Sequence, residues 1–312
     1  MAKGKKTSAA ARDGSWRLIM HIMIGVTFVS TVVACFRIAE LYVGQRLAYS
    51  TRPPRAVLVN RPAWMSEFLA DEIARCAQPI GLHSAFDHDL LVQTTSLLEA
   101  NPWVRRVKEV RRVYGQQPGD TIEIDCDYRA PAALVQWGDK YALVDNQGIQ
   151  LPEAYGASDL SKIMFAPDGS LAVRIIQGVG HAPTEAGRTW PGEDLAAGLE
   201  IAKLLSGQVY AEQIRRIDVT NYDGRQDAQA AQIVLLTQYN TQIRWGRGPG
   251  AKDAFIEVPA SVKLNALAAI YRERKRVDAG EPWIDIRFDR VTCPGPTAQA
   301  ASTAPPSAAN AD

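Results

Sequence analysis

One uncharged, apolar stretch near the N-terminus constrains this chain more than any other feature. From Leu18 to Phe36 there is no formal charge, only His21 and a few small polar residues among Leu, Ile, Met, Val and Phe. That is close to the roughly 20 residues a helix needs to cross the hydrocarbon core of a bilayer. Lys3, Lys5, Lys6, Arg12 and Arg17 precede it, against one acid, Asp13. Basic flanks tend to stay in the cytoplasm. The expected topology is single-pass type II in the inner membrane, with the N-terminus cytoplasmic and the bulk extracytoplasmic. The bias is modest, because Arg37, Arg46, Arg52 and Arg55 sit on the far side.

The same run has a rival reading. A signal peptide carries a shorter apolar region, roughly 7–15 residues, before a cleavage site. Val32-Val33-Ala34-Cys35 looks like a lipoprotein processing box in which Cys35 would be lipidated. The length of the run and the bulky Phe36 favour an uncleaved span, and either route leaves the protein tethered.

Beyond the span, 46% hydrophobic and 22% charged composition over 312 residues can build real cores, read here as two small domains. A net charge of +1 gives no argument for nucleic acid or strongly acidic partners. Four cysteines are too few for a disulfide scaffold. Cys35 lies in the apolar span, and Cys76, Cys126 and Cys293 lie beyond it; Cys76 and Cys126 are expected as buried free thiols, with a bridge between them the alternative. Residues 293–312, rich in Pro, Ala, Ser and Thr, are expected to be disordered.

Along the soluble part, Val57-Leu58-Val59 suggests a short strand after the linker 37–55. Ser66 is a candidate cap for a helix with Leu69, Ile73, Cys76 and Ile80 on one face. Asp87 starts a second helix, with Leu90, Leu91, Thr94, Leu97 and Leu98 at helical spacing, and Asn101-Pro102 ends it. Trp103 to Tyr114 has valines every third residue, yet its valine content and the turn at 115–120 favour a hairpin arm. Ile122, Ile124, Cys126 and Tyr128 alternate with Glu123, Asp125 and Asp127, the mark of a half-buried strand. The order is strand, helix, helix, strand, strand.

A second unit follows Ala130-Pro131. Strands are expected at 133–137, 141–144, 214–220, 232–239 and 242–246, and helices at 191–206 and 261–277. The final element, Trp283 to Val291, alternates Ile284, Ile286 and Phe288 with Asp285, Arg287 and Asp289.

These segments together resemble the FtsQ/DivIB bacterial cell-division family. The match is carried by Asn101-Pro102-Trp103-Val104, Arg111-Arg112, Asp120-Thr121-Ile122-Glu123-Ile124, Tyr128-Arg129-Ala130-Pro131-Ala132-Ala133, Trp137 and Leu143-Val144-Asp145-Asn146-Gln147-Gly148. It continues at Ile217-Asp218-Val219, Ile243-Arg244-Trp245-Gly246, Lys263-Leu264 and Ile284-Asp285-Ile286-Arg287-Phe288. The chain departs from the family at Tyr128, where a glutamate is usual, at Phe288 for a tyrosine, at Asn60 for a glycine, and in a longer segment 157–190.

The resemblance implies an α+β architecture: cytoplasmic tail 1–17, transmembrane helix 18–36, linker 37–55, a POTRA domain of β-α-α-β-β order at 56–129, and a mixed β domain with flanking helices at 130–292. It implies a non-catalytic scaffold without cofactor, metal or small-molecule substrate. Its partners would be single-span division proteins of the FtsB/DivIC and FtsL types. The alternative is a POTRA-type periplasmic chaperone or secretion module that binds client strands.

Other motifs weigh less. His83, Asp87, His88 and Asp89 are residue types that can bind zinc but lack a second ligand cluster, so a loop and helix start are expected. The basic run Arg105, Arg106, Lys108, Arg111, Arg112 reads as a solvated strand face. Gly246-Arg247-Gly248-Pro249-Gly250 lacks the Lys-Ser/Thr ending of a phosphate loop and reads as a flexible loop. His181 has no nucleophile beside it, and no catalytic constellation is recognised.

Trp283, Ile284, Asp285, Ile286, Arg287 and Phe288 are therefore the candidate partner-binding residues. On residues alone they read as an ordinary terminal strand. The resemblance makes them a sheet edge that accepts a partner's strand. Replacing Ile286 by proline is expected to remove a ladder donor and weaken partner capture.

Overall fold

A computed structural model of the chain describes residues 8–48, 54–80, 87–113, 115, 120–251 and 256–294. Its first element is a long helix, α1 (Ser8–Ala48), containing an apolar stretch Ile19–Tyr42 long enough to cross a membrane. The helix runs past Phe36 to Ala48, into the segment expected as linker. Residues 37–48 hold no proline and one glycine, Gly44, among Ala, Leu, Arg, Glu and Gln, and Arg37 pairs with Glu40 one turn on at 3.4 Å. The side chains along Ile19–Tyr42 are exposed throughout, which suits a helix solvated by lipid.

Contacts divide the chain between Asp127 and Tyr128 into two compact units. In the first unit α1 is followed by β1 (Arg55–Leu58), α2 (Glu67–Cys76), α3 (Asp89–Glu99), β2 (Val104–Val113) and β3 (Thr121–Tyr128). The three strands form a sheet in the order β1-β3-β2, with β1 parallel to β3. Lys108 pairs with Asp127 and Arg111 with Glu123, so the residue numbers run in opposite senses across β2 and β3. β3 buries Ile122, Ile124 and Cys126 on the inner face. α2 is capped by the Ser66 hydroxyl, which accepts the Leu69 N–H at 3.2 Å.

α2 stops four residues short of Ile80. Pro79 removes an N–H and pushes Gln78 out of the helical region. Cys76 is exposed and Ile80 is 96% exposed, so both leave the buried face on which they were expected, where Ala70 lies instead. α3 begins at Asp89 rather than Asp87; the Asp87 carboxylate accepts the Asp89 N–H at 3.1 Å.

The second unit is built on an eight-stranded sheet. Its strands are β4 (Pro131–Trp137), β5 (Lys140–Asp145), β6 (Gln150–Gly156), β7 (Arg174–Gln177), β8 (Ile214–Asp218), β9 (Ile233–Thr237), β10 (Gln242–Gly246) and β11 (Trp283–Asp285). Their order is β11-β10-β9-β8-β7-β4-β5-β6. A short helix, α4 (Leu160–Ile163), lies between β6 and β7; α5 (Glu193–Ser206) joins β7 to β8, and α6 (Ala260–Arg274) joins β10 to β11. Both of these strand pairs are parallel neighbours, which is why each needs a helix-length crossover.

The registers align one apolar row across seven strands: Ala142, Val135, Ile176, Ile217, Leu235, Ile243 and Ile284. All seven belong to the main core, with Leu195, Leu199, Ala202 and Leu205 of α5 and Leu267 of α6. Each fully buried Ile, Leu or Val contributes about 1.5–3 kcal/mol, so this row ties the sheet to its two helices. The row on the opposite face is Leu143, Leu134, Ile175, Arg216, Leu236, Gln242 and Trp283. Its first three members are buried; from Arg216 onward it is exposed or half-buried. The sheet is thus covered on both faces around β4 and β7, and open on one face toward β11.

Candidate partner-binding edge

β11 is the terminal strand of the large sheet. It pairs with β10 in parallel, Gln242 opposite Trp283 and Arg244 opposite Asp285. The Pro282 carbonyl accepts the Gln242 N–H at 3.1 Å, and the Ile286 N–H donates to the Arg244 carbonyl at 3.3 Å. In a strand the backbone groups of alternate residues point to opposite sides. Those of Trp283 and Asp285 therefore face away from β10, while the N–H of Ile286 faces into the sheet. Proline at 286 would remove a ladder donor, as expected, but the bond lost is the one to β10 and not one on the outer edge.

Side chains on the open face meet in a similar alternation. The Arg244 guanidinium lies 4.0 Å from the Trp283 ring centroid, a cation–π contact. Asp285 projects on the same face as Trp283 yet is only 5% exposed, because Arg287 covers it. Burial pushes the Asp285 carboxyl up, but the hydrogen bonds and charge of Arg287 outweigh it, and its pKa sits below the ordinary value. The bond to Asp285 likewise holds the Arg287 guanidinium above its ordinary value, against the effect of burial.

That pair shortens the strand. The alternation predicts a strand from Trp283 to Val291, but it ends at Asp285, whose carboxylate accepts the Arg287 N–H at 3.1 Å and bends the chain. The guanidinium also donates to the Gln229 carbonyl at 3.2 Å, and the Arg287 carbonyl accepts the Val258 N–H at 2.9 Å. Ile284 and Ile286 are buried as expected, whereas Phe288, expected on the same inner face, is 51% exposed. Alternation predicts the face of each residue up to the bend and fails beyond it.

Polar contacts fix the segments around β11, those of β10, α6 and the turn at 276–280. Lys263, buried on α6, donates to the Trp245 carbonyl at 2.7 Å and to Glu257 at 2.6 Å. Burial lowers the Lys263 pKa, and Glu257 offsets only part of that. Glu257 also accepts the Arg247 N–H at 3.0 Å, which ties down the glycine-rich segment that the sequence suggested was a loose loop. Asp278, fully buried, accepts from Arg276, from the Thr241 hydroxyl at 2.6 Å and from the Gly280 N–H at 2.9 Å. The Tyr210 hydroxyl donates to the Leu264 carbonyl at 3.1 Å, fixing α6 over the core. Sequence reading missed Asp278 and Glu257 in these roles; the Asp278-Ala279-Gly280 turn signal was the only local hint.

The opposite end of the sheet is built differently. β6 carries Pro152, and its Gln150 exchanges hydrogen bonds with the 187–188 segment, at 2.9 and 2.7 Å. Proline and a covering segment are ways of closing an edge.

The remaining motifs resolve plainly. Of the histidine–aspartate cluster, His83 lies outside the described residues, as does the tail from 295, while Asp87, His88 and Asp89 form the start of α3. Among the described residues no group of three or more His, Cys, Asp or Glu is placed to hold a metal. In the basic run, Lys108 and Arg111 are neutralised by the acids of β3. The His181 carbonyl accepts the Trp190 indole N–H at 2.9 Å. Asp194 gathers the Gly180 N–H and the Arg225 guanidinium at 2.7 and 3.0 Å, closing the loops at the ends of β7 and β8. All four cysteines are free, and burial pushes the Cys126 thiol up to about 11, so it stays protonated and inert.

No protein-family model matches the chain, and no curated protein matches it significantly.

Proposed function

We propose that this protein is a membrane-anchored, non-catalytic scaffold of the bacterial division complex, of FtsQ/DivIB type. The observation that carries the reading is the terminal edge strand β11, which presents the backbone of Trp283 beyond an open, half-apolar sheet face. Such an edge accepts a strand by backbone bonding, with neighbouring side chains giving selectivity. The sheet's other edge carries Pro152, which has no N–H to donate, whereas β11 has no proline, so β11 is the better suited of the two.

Further support comes from the order of parts. An apolar helix stands ahead of two compact units, the first with element order β-α-α-β-β. In this reading it is a POTRA unit, α1 anchors the chain in the inner membrane as a type II protein, and both units lie outside the cytoplasm. The partners are small single-span proteins of the FtsB/DivIC and FtsL types, and the assembly links early division proteins to septal wall synthesis. Function lies in being bound at fixed places in the membrane plane.

Fluorescence localisation of the full chain, tagged at its N-terminus, tests this. Accumulation at midcell in dividing cells is the expected result. Uniform envelope fluorescence through the division cycle contradicts it and favours the POTRA-type chaperone.

A further inference from the structure

The outer edge of β11 is not wholly vacant. Asp285 donates its N–H to the Thr292 carbonyl at 2.8 Å and accepts the Thr292 N–H at 3.0 Å, the reciprocal pair of an antiparallel ladder. The chain reaches this point by turning at 286–291, a turn set by the Asp285–Arg287 interaction and by the Arg287 bond to Gln229. Thr292 thus sits where the next strand of the sheet would lie. Of the outward-facing residues in β11, Asp285 is taken by the protein's own chain, and Trp283 has no backbone partner among the described residues.

We infer that the segment around Thr292 is an internal stand-in strand, and that a partner strand engages β11 fully only by displacing it. This rests on the strand-addition reading above and adds its regulation. Strands in sheets commonly run about five or six residues. A visiting strand confined to Trp283 could form one outward pair, and extending the ladder along β11 brings it directly onto Asp285. The two positions compete for the same N–H and C=O. The stand-in also has a protective role: it shields an edge that would otherwise template self-association. Capture and protection are then alternative states of one strand, and partner affinity is set by the difference between them.

The test uses the full chain in detergent micelles and two variants: one ending at Val291, and Thr292→Pro, which removes the donor to Asp285 while keeping the tail. The probe is the extracytoplasmic segment of the FtsB-type protein from the same genome. Two net backbone hydrogen bonds correspond to about a tenfold change in affinity. Both variants should bind the probe more tightly than the natural chain, the truncation by about tenfold, and the Asp285 amide should exchange faster in both before the probe is added. Amide protection at Ile217 and Leu235, in the central strands, reports that each variant is folded; if the truncation does not fold, Thr292→Pro decides. Equal binding by natural chain and variants overturns the inference and leaves partner capture standing. Tighter binding by the truncation alone also overturns it, since the tail and not the pair would then be responsible. Binding by none of the three overturns both readings.

Discussion

The Arg287 guanidinium grips the Asp285 carboxylate two residues earlier in the chain, with Nη2 2.7 Å from one oxygen and Nε 3.0 and 3.1 Å from the two. This pair ends β11, turns the chain toward Thr292 and covers a carboxylate that projects on the open face of the sheet. Removing one partner of a buried pair leaves an uncompensated charge. Arg287→Met should destabilise the second unit by about 3 kcal/mol, read by denaturant unfolding. A loss below about 1 kcal/mol would mean that Asp285 finds water or another cation instead.

Asp278 and Asp285 both sit below the ordinary carboxylate value. Burial would push each of them up, and the bonds from Arg276 and Thr241 to Asp278, and from Arg287 to Asp285, more than reverse it. A carboxyl held low when folded binds its proton more weakly than in the unfolded chain, where its pKa is about 3.9. The stabilisation is complete above about pH 5 and is lost as pH falls through the folded values. Unfolding midpoints should be level from pH 7 to pH 5 and drop steeply below about pH 4. Asp278→Asn should lower the plateau and flatten that acid limb. A limb unchanged in the variant would assign acid sensitivity to other groups.

Lys263 and Glu257 are both buried, their side chains 4% and 7% exposed, and bond to each other at 2.6 Å. Lys263→Met strands the Glu257 carboxylate against the Arg247 N–H alone, at a cost of about 3–5 kcal/mol. The double variant Lys263→Met with Glu257→Gln should recover at least half of that loss. If the double change costs as much as the sum of the two single ones, the pair is not coupled.

Two glycines with positive φ should respond very differently to alanine. Gly138, φ 60°, has open space where a Cβ would go, so Gly138→Ala costs about 1–2 kcal/mol in backbone strain. At Gly178, φ 81°, a Cβ would run into the Thr220 backbone and hydroxyl beside the end of β8. Gly178→Ala should cost at least about 3 kcal/mol, strain and overpacking together. Equal thermal shifts for the two variants would contradict this account of the β7–β8 ends.

The elements with a clear period were legible in the sequence. β3 alternates Ile122, Ile124 and Cys126 with acids and folds with that alternation intact, and α5 buries Leu195, Leu199, Ala202 and Leu205 at helical spacing. β7 was missed although it is central to the sheet. Arg174-Ile175-Ile176-Gln177 is short and buried on both faces, so it has no alternation to read. Even Arg174 is buried there, its donors taken up by the Ile214 and Ala211 carbonyls at 3.1 and 2.7 Å. β6 escaped for a related reason, since Pro152 marks against a strand everywhere except at an edge.

At the candidate site the residues of β11 were legible, but its end was not. The pattern through Phe288 is as good an alternation as that of β3. What stops the strand is a side-chain to backbone bond from Asp285 to Arg287, and such local competition leaves no periodic trace. The return of Thr292 to Asp285 is a contact between a strand and a segment with no pattern of its own, visible only once the turn is built.

The central claim is that β11 receives a strand from a small single-span division protein. A photo-cross-linking amino acid at Trp283 in living cells tests it most directly, with the same label at Glu153 on the β6 edge as control. The account predicts cross-links from position 283 to an FtsB/DivIC-type protein, and none to it from position 153. Equal capture at both positions, or capture of unfolded envelope proteins at 283, would contradict it.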